Sequence, residues 1–138
     1  MSRRQRKRLP EGEFAAEVES LSHDGRGVAH IDGKATFIDG ALPGETVKFQ
    51  YVSTRRRFDE GRVTQIENAS PHRVEPRCPH AAICGGCSLQ HLSAHAQVEA
   101  KQNILIEQFR HLAKLEIPTI LPPLVAEPWA PPPFCPGC

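Results

Sequence analysis

The stretch RGVAHIDGKATFI, residues 26–38, decides how the chain folds. Two short runs, Arg26–Ile31 and Lys34–Ile38, carry β-branched and aromatic residues and flank the pair Asp32-Gly33. A two-residue Asp-Gly link is a strong hairpin signal, because the tight turn that matches strand twist needs positive φ at both central positions. The stretch therefore predicts two antiparallel strands joined by the shortest usual turn.

Strand patterning continues on both sides. Upstream, EFAAEVESL at 13–21 sets Phe14, Ala16 and Val18 against Glu13, Glu17 and Glu19, roughly the period-two pattern of a half-buried strand, until His23-Asp24-Gly25 breaks it. Downstream, Asp39-Gly40-Ala41-Leu42-Pro43-Gly44 reads as a longer turn. A fourth strand follows over 45–52, ETVKFQYV, and after an arginine-rich turn a fifth over 60–66, EGRVTQI. Five short antiparallel strands at near-regular spacing predict a small all-β barrel of the OB type, in which closure protects the strand edges. Barrels of this kind often bind nucleic acid, but fold alone does not fix function.

Beyond the barrel, Pro71 and Pro76 mark a linker into a cysteine-rich loop. Ser93 is the expected N-cap of a helix reaching about residue 114. Val98, Leu105, Phe109 and Leu112 fall along one face of that helix, which is expected to pack against a neighbouring domain. Pro118, Pro122 and Pro123 stop regular structure. The predicted organisation is a basic arm over 1–10, the barrel over 11–70, a cysteine segment over 71–92, a helix over 93–116 and a proline-rich tail over 117–138.

The formal net charge of +1 on 138 residues announces no global basic field. Local clusters matter more for phosphate contact: SRRQRKR at 2–8 and RRR at 55–57. Arg55, Arg56 and Arg57 sit in the turn before the fifth strand, and Lys34, Lys48 and Arg62 on nearby strands extend a candidate RNA-binding surface. Guanidinium groups suit phosphates, and aromatics such as Phe58 and Tyr51 can stack bases, although both rings are better read as core. No apolar run approaches the roughly 18 residues of a membrane span. Leu9-Pro10-Glu11-Gly12 follows the basic N-terminus where a secretory signal would continue into an apolar stretch. No membrane association, a cytoplasmic location and no obligate protein partner are expected.

Five cysteines, an odd number in an expected reducing compartment, argue for ligands rather than a disulfide framework. CPHAAICGGC at 78–87 holds Cys78, Cys84 and Cys87 in a C-x5-C-x2-C array, with Gly85-Gly86 letting backbone turn around the sulfurs. Zinc would take these three with His80 or His91 as a fourth ligand. An iron–sulfur cluster would want a fourth thiolate, often distant in sequence. Spacing leaves both open, and the absence of a βαβ pattern disfavours a thioredoxin-like role.

Specific motifs resemble a known family. Residues 20–47 are similar to a TRAM domain, a small RNA-binding barrel, through His23-Asp24-Gly25-Arg26-Gly27, Asp32-Gly33-Lys34 and Leu42-Pro43-Gly44-Glu45. Residues 70–92, SPHRVEPRCPHAAICGGCSLQHL, resemble the segment after TRAM in RNA uracil-5-methyltransferases, most of all bacterial enzymes that make 5-methyluridine in 23S rRNA. Gln90-His91, Gln97 and Lys101 match as well, and the resemblance covers roughly residues 10 to 129. It implies that Cys78, Cys84 and Cys87 help to bind a 4Fe–4S cluster, and that the partner is RNA, most of all 23S rRNA. The family's fourth cysteine and its methyl transfer from S-adenosylmethionine belong to a downstream domain that residues 115–138 could not hold. The chain is therefore expected to lack activity alone. After Glu127-Pro128-Trp129 it reads APPPFCPGC, a departure that suggests a truncated or frameshifted product. Cys135 and Cys138 in that tail could complete the cluster. The alternative is a stand-alone TRAM-type RNA-binding module with a structural zinc site.

Overall fold

The computed structural model describes residues 8–127. Most of the basic arm, and the tail from Pro128 with Cys135 and Cys138, lie outside the described residues. The chain divides into two compact units, Met1–Pro71 and His72–Cys138.

The first unit contains β1 (Phe14–Glu17), β2 (Ser20–Leu21), β3 (Gly27–Ile31), β4 (Lys34–Asp39), β5 (Thr46–Thr54) and β6 (Phe58–Asn68). The β3–β4 hairpin is as expected: Asp32 has φ 50° and Gly33 φ 77°, the two positive values its turn requires. The other expected strands are present, with β5 and β6 longer than predicted.

Three features differ from the expected closed antiparallel barrel. The strand order β1-β5-β6-β4-β3-β2 is open, with β1 and β2 at its two edges. β4 and β6 pair in parallel. The run 13–21 forms two short strands rather than one. Its first half pairs with β5 and its second with β3, and the change of partner falls at Val18-Glu19. There Val18 donates its N–H to the Glu45 carbonyl (2.9 Å) and accepts from Gly44 (2.8 Å), while Glu19 donates to Val28 (2.8 Å). The edges of the sheet are thus adjacent in sequence, and one bent segment serves both.

Val18, Ala29, Ile38, Ala41, Val47 and Phe49 form the core, with Phe14, Tyr51 and Val63 packed against them. Tyr51 is a core-flanking ring, as expected, edge-on to Phe14 and Phe49, each at 5.0 Å. Gly61 on β6 allows the closest approach: a Cβ there would lie 2.5 Å from Phe49 Cδ2. The fully buried Glu45 explains the LPGE motif. Its carboxyl group accepts hydrogen bonds from Leu42 N (2.9 Å) and Ser70 N (3.1 Å), which ties the turn before β5 to the end of the unit.

In the second unit, irregular chain leads to helix α1 (Ala94–His111). Arg73 and Leu92 form an isolated antiparallel bridge, and Ser93 N donates to His72 O (2.9 Å), which closes the loop onto its own base. Ser93 occupies the N-cap position without a side-chain capping bond. The helix ends at His111, short of the expected 114, and Lys114 adopts φ 55°. Leu105, Phe109 and Leu112 are exposed among the described residues.

Candidate functional site

The outer face of the sheet gathers the first group of functional candidates. On β4, Thr36 and Ile38 are buried, so alternation turns Phe37 to the opposite face. The pairing register sets Phe37 opposite Val28 on β3 and Glu60 on β6, and sets Ala35 opposite Phe58. The Phe37 and Phe58 rings meet edge to face, 5.5 Å apart at 82°. Each ring backs a guanidinium: Arg26 Cζ lies 5.0 Å from the Phe37 centroid, and Arg55 Cζ lies 5.6 Å from that of Phe58. Glu60 joins the two arginines, accepting from Arg26 Nη1 at 3.1 Å and lying 3.6 Å from Arg55 Nε.

The loop before β3 fixes Arg26. Asp24 Oδ2 accepts from Arg26 Nε and pairs with Nη2, both at 2.8 Å. Ser22 Oγ donates to Asp24 and accepts from Arg26 N (3.0 Å). The HDGR motif is thus a small knot that aims one guanidinium over the sheet. The charges respond to one another. The hydrogen bond from Arg26 holds the Glu60 carboxyl below its ordinary value, against a smaller opposing effect of burial and with help from the Arg55 charge. Burial alone would raise Asp24, but Ser22 and Arg26 lower it. Burial alone would lower Arg26, but Asp24 and Glu60 raise it.

The six basic residues predicted from sequence do not form one free surface. Arg55 N donates to Phe58 O (3.0 Å) across the β5–β6 turn, and Arg56 and Arg57 on that turn are exposed with no carboxylate partner among the described residues. Lys34 is engaged on the core-side face of β4, its Nζ 2.6 Å from Asp59 Oδ1. Lys48 pairs with Glu67 (3.2 Å), and Arg62 lies 3.8 Å from Asp39. Sequence reading missed Arg26, Phe37 and Glu60, and it put Phe58 in the core, whereas alternation with the buried Asp59 turns Phe58 to the outer face beside Phe37. Alternation on β4 could have turned Phe37 outward, but only the parallel β4–β6 pairing sets Glu60 beside it.

The second group is the cysteine segment. Cys78 is buried, whereas Cys84 and Cys87 are exposed. Gln90 Oε1 accepts from Cys78 N (3.1 Å), and Gln97 Nε2 donates to both Leu89 O (2.9 Å) and Leu92 O (2.8 Å). The matched glutamines therefore brace the cysteine loop from its exit and from the first turn of α1. Ala81 N donates to Cys78 O, and Cys84 N to His80 O, which coils the backbone between the first two thiols. A Cβ at Gly86 would make ordinary van der Waals contact with Cys84 Sγ, at 3.5 Å. A cleft of about 510 Å³ includes Cys87, Arg77, Gln90, Gln97 and Lys101 in its lining. Among the described residues, no three His, Cys, Asp or Glu side chains converge as metal ligands. The three thiols suit a thiolate-bound metal by donor type.

Residues 12–64 match the family model for the TRAM domain. The first unit thus holds the TRAM match. Its match ends within β6, and it contains the whole Arg26–Phe37–Phe58–Arg55 group.

The longer resemblance read from the sequence also holds. The chain is 56% identical to a 23S rRNA (uracil(1939)-C(5))-methyltransferase RlmD of Nitrosococcus oceani over 120 residues, 87% of this chain and 27% of that protein. It is 50% identical to the enzyme of the same name from Methylococcus capsulatus over 127 residues, 92% of this chain and 29% of the other. Against that of Alcanivorax borkumensis the identity is 55%, over 88% of this chain and 27% of the relative. The chain thus spans a little over a quarter of the length of these relatives. Among the described residues, no helix is long and apolar enough to cross a membrane.

Proposed function

We propose that the chain is the RNA-binding and cluster-binding portion of a 23S rRNA uracil-C5-methyltransferase. The observation that carries this reading is the TRAM match over residues 12–64 together with similarity, along 87% of this chain, to an enzyme of that name. In the complete enzyme S-adenosylmethionine would supply the methyl group placed on carbon 5 of a uridine. The TRAM domain would hold the rRNA, with the exposed Arg56 and Arg57 beside Arg55 as phosphate contacts at the β5–β6 turn. Replacing Arg55 and Arg56 together with alanine should weaken RNA binding and flatten its dependence on salt, because fewer counterions are released. An unchanged salt slope in a filter-binding titration would count against this role.

Cys78, Cys84 and Cys87 would contribute three thiolates to a 4Fe–4S cluster, with a further cysteine as the fourth. Cys135 or Cys138 could serve, as could a residue of a longer chain. The buried Cys78, pinned at its N–H by Gln90, would be the most rigid of the three. Uridine methylation involves no net electron change, so the cluster's duty would be structural or RNA-orienting. Metal analysis of anaerobically purified protein should find iron and sulfide. One zinc per chain would instead support the reading as a stand-alone TRAM-type module with a structural zinc site.

A further inference from the structure

We propose that Arg26 and Arg55, each backed by a phenylalanine and both joined to Glu60, form a two-plane stacking platform for unpaired RNA bases. The proposal rests on the RNA-binding reading above and assigns it a place on the sheet. An arginine that only neutralises phosphate needs no ring behind it. Here both guanidinium groups lie over rings, at 5.0 and 5.6 Å, and the two rings touch each other. The four side chains make one continuous Arg26–Phe37–Phe58–Arg55 row from the loop before β3, over β4 and the start of β6, to the β5–β6 turn.

Such an arrangement has a chemical consequence. A ring on one side of a planar guanidinium leaves its other face free to meet a base, and guanidinium planes stack on unpaired bases as aromatic rings do. Glu60 neutralises part of the charge of the pair and limits the rotation of both side chains. Asp24 further fixes Arg26. Groups held in place lose less rotamer freedom on binding, so the row is prepared for a flat ligand rather than for a diffuse polyanion. In a duplex the base faces are already stacked, so the occupant is single-stranded RNA. The freely exposed Arg56 and Arg57 next to the platform would meet its phosphates.

The test is fluorescence anisotropy on the full chain with a labelled single-stranded oligoribonucleotide, and with a fully paired duplex for comparison. Arg55→Lys and Arg26→Lys keep the charge and remove the plane. Each should weaken single-strand binding at least fivefold with an unchanged salt slope, and should leave duplex binding unaltered. Phe58→Leu should act in the same direction. Arg55 is 61% exposed at its side chain, so its lysine variant keeps the fold, and circular dichroism would verify that. Lysine variants that bind single strands as the original does would overturn the platform while leaving RNA binding intact. An original chain that binds neither RNA would overturn the RNA reading and the platform together.

Discussion

Glu60 is the residue on which the outer face turns. It is paired to Arg26 at 3.1 Å and to Arg55 at 3.6 Å, and its carboxyl group sits below its ordinary value of 4.5. A group whose acidity is strengthened on folding adds stability that is fully present above its unfolded value. That stability is lost as pH falls through the lower folded value. The window therefore opens at about 4.5 and extends downward, with Asp24 acting in the same sense from its own ordinary value of 3.8. Glu60→Gln should shrink the loss of stability between pH 7 and pH 3, measured as the urea midpoint at each pH. Equal losses in the two proteins would show that the pairing contributes nothing. The expected difference is under about 1 kcal/mol, since the pair is partly solvated. From sequence, Glu60 was only the first residue of a strand. Arg55 is near it in the chain, but Arg26 is 34 residues away.

At the scale of elements, turns and braces decide what the strands and helix present. The Asp32-Gly33 turn was readable because its φ demands select residue types locally. The Glu45 brace was not, because an acidic residue in an alternating strand looks solvent-facing, and only the fold brings Ser70 N within 3.1 Å. The glutamines of the second unit behave alike. Gln97 in the first turn of α1 holds two carbonyls of the loop that follows the cysteines. Gln97→Ala should leave the carbonyls of Leu89 and Leu92 without these donors. Each lost bond costs about 1 kcal/mol, more where the group stays buried. Amide hydrogen exchange should then quicken at Leu92 and Ser93 and stay constant through β3–β6. Unchanged exchange at Leu92 would mean that the loop stands without the brace. The length of α1 was overestimated by a few residues, since the apolar spacing runs on through Leu112 while the backbone turns out of the helix by Lys114.

Across the whole molecule the two units are built differently. The first unit has a filled core in which Ile38, Val47 and Phe49 are wholly buried. In the second unit Leu105, Leu112, Leu121 and Leu124 are exposed among the described residues, and Ala96 is the buried residue of α1. Protection follows buried packing, so the sheet should form the slow-exchanging unit. The amides of Ile38, Val47 and Phe49 should exchange most slowly, and those of α1 beyond Ala96 markedly faster, in a residue-resolved exchange series. Equal protection of the helix and the sheet would contradict this division.

Much of this architecture is local and therefore legible in the chain. Alternation, the Asp-Gly turn and the proline and glycine breaks located the strands, because each depends on a few adjacent residues. Motif resemblance located the TRAM segment and singled out Cys78, Cys84 and Cys87. Tertiary structure alone decided that β6 lies parallel to β4 and that the run 13–21 divides between two edges. It alone decided that Lys34 belongs to Asp59, and that Arg26, Phe37, Phe58, Arg55 and Glu60 share one face. The physical reason is that alternation states which face a residue takes but not which strand lies beside it. Neighbours are chosen by the packing of the whole core, and charge and ring pairings follow from the neighbours.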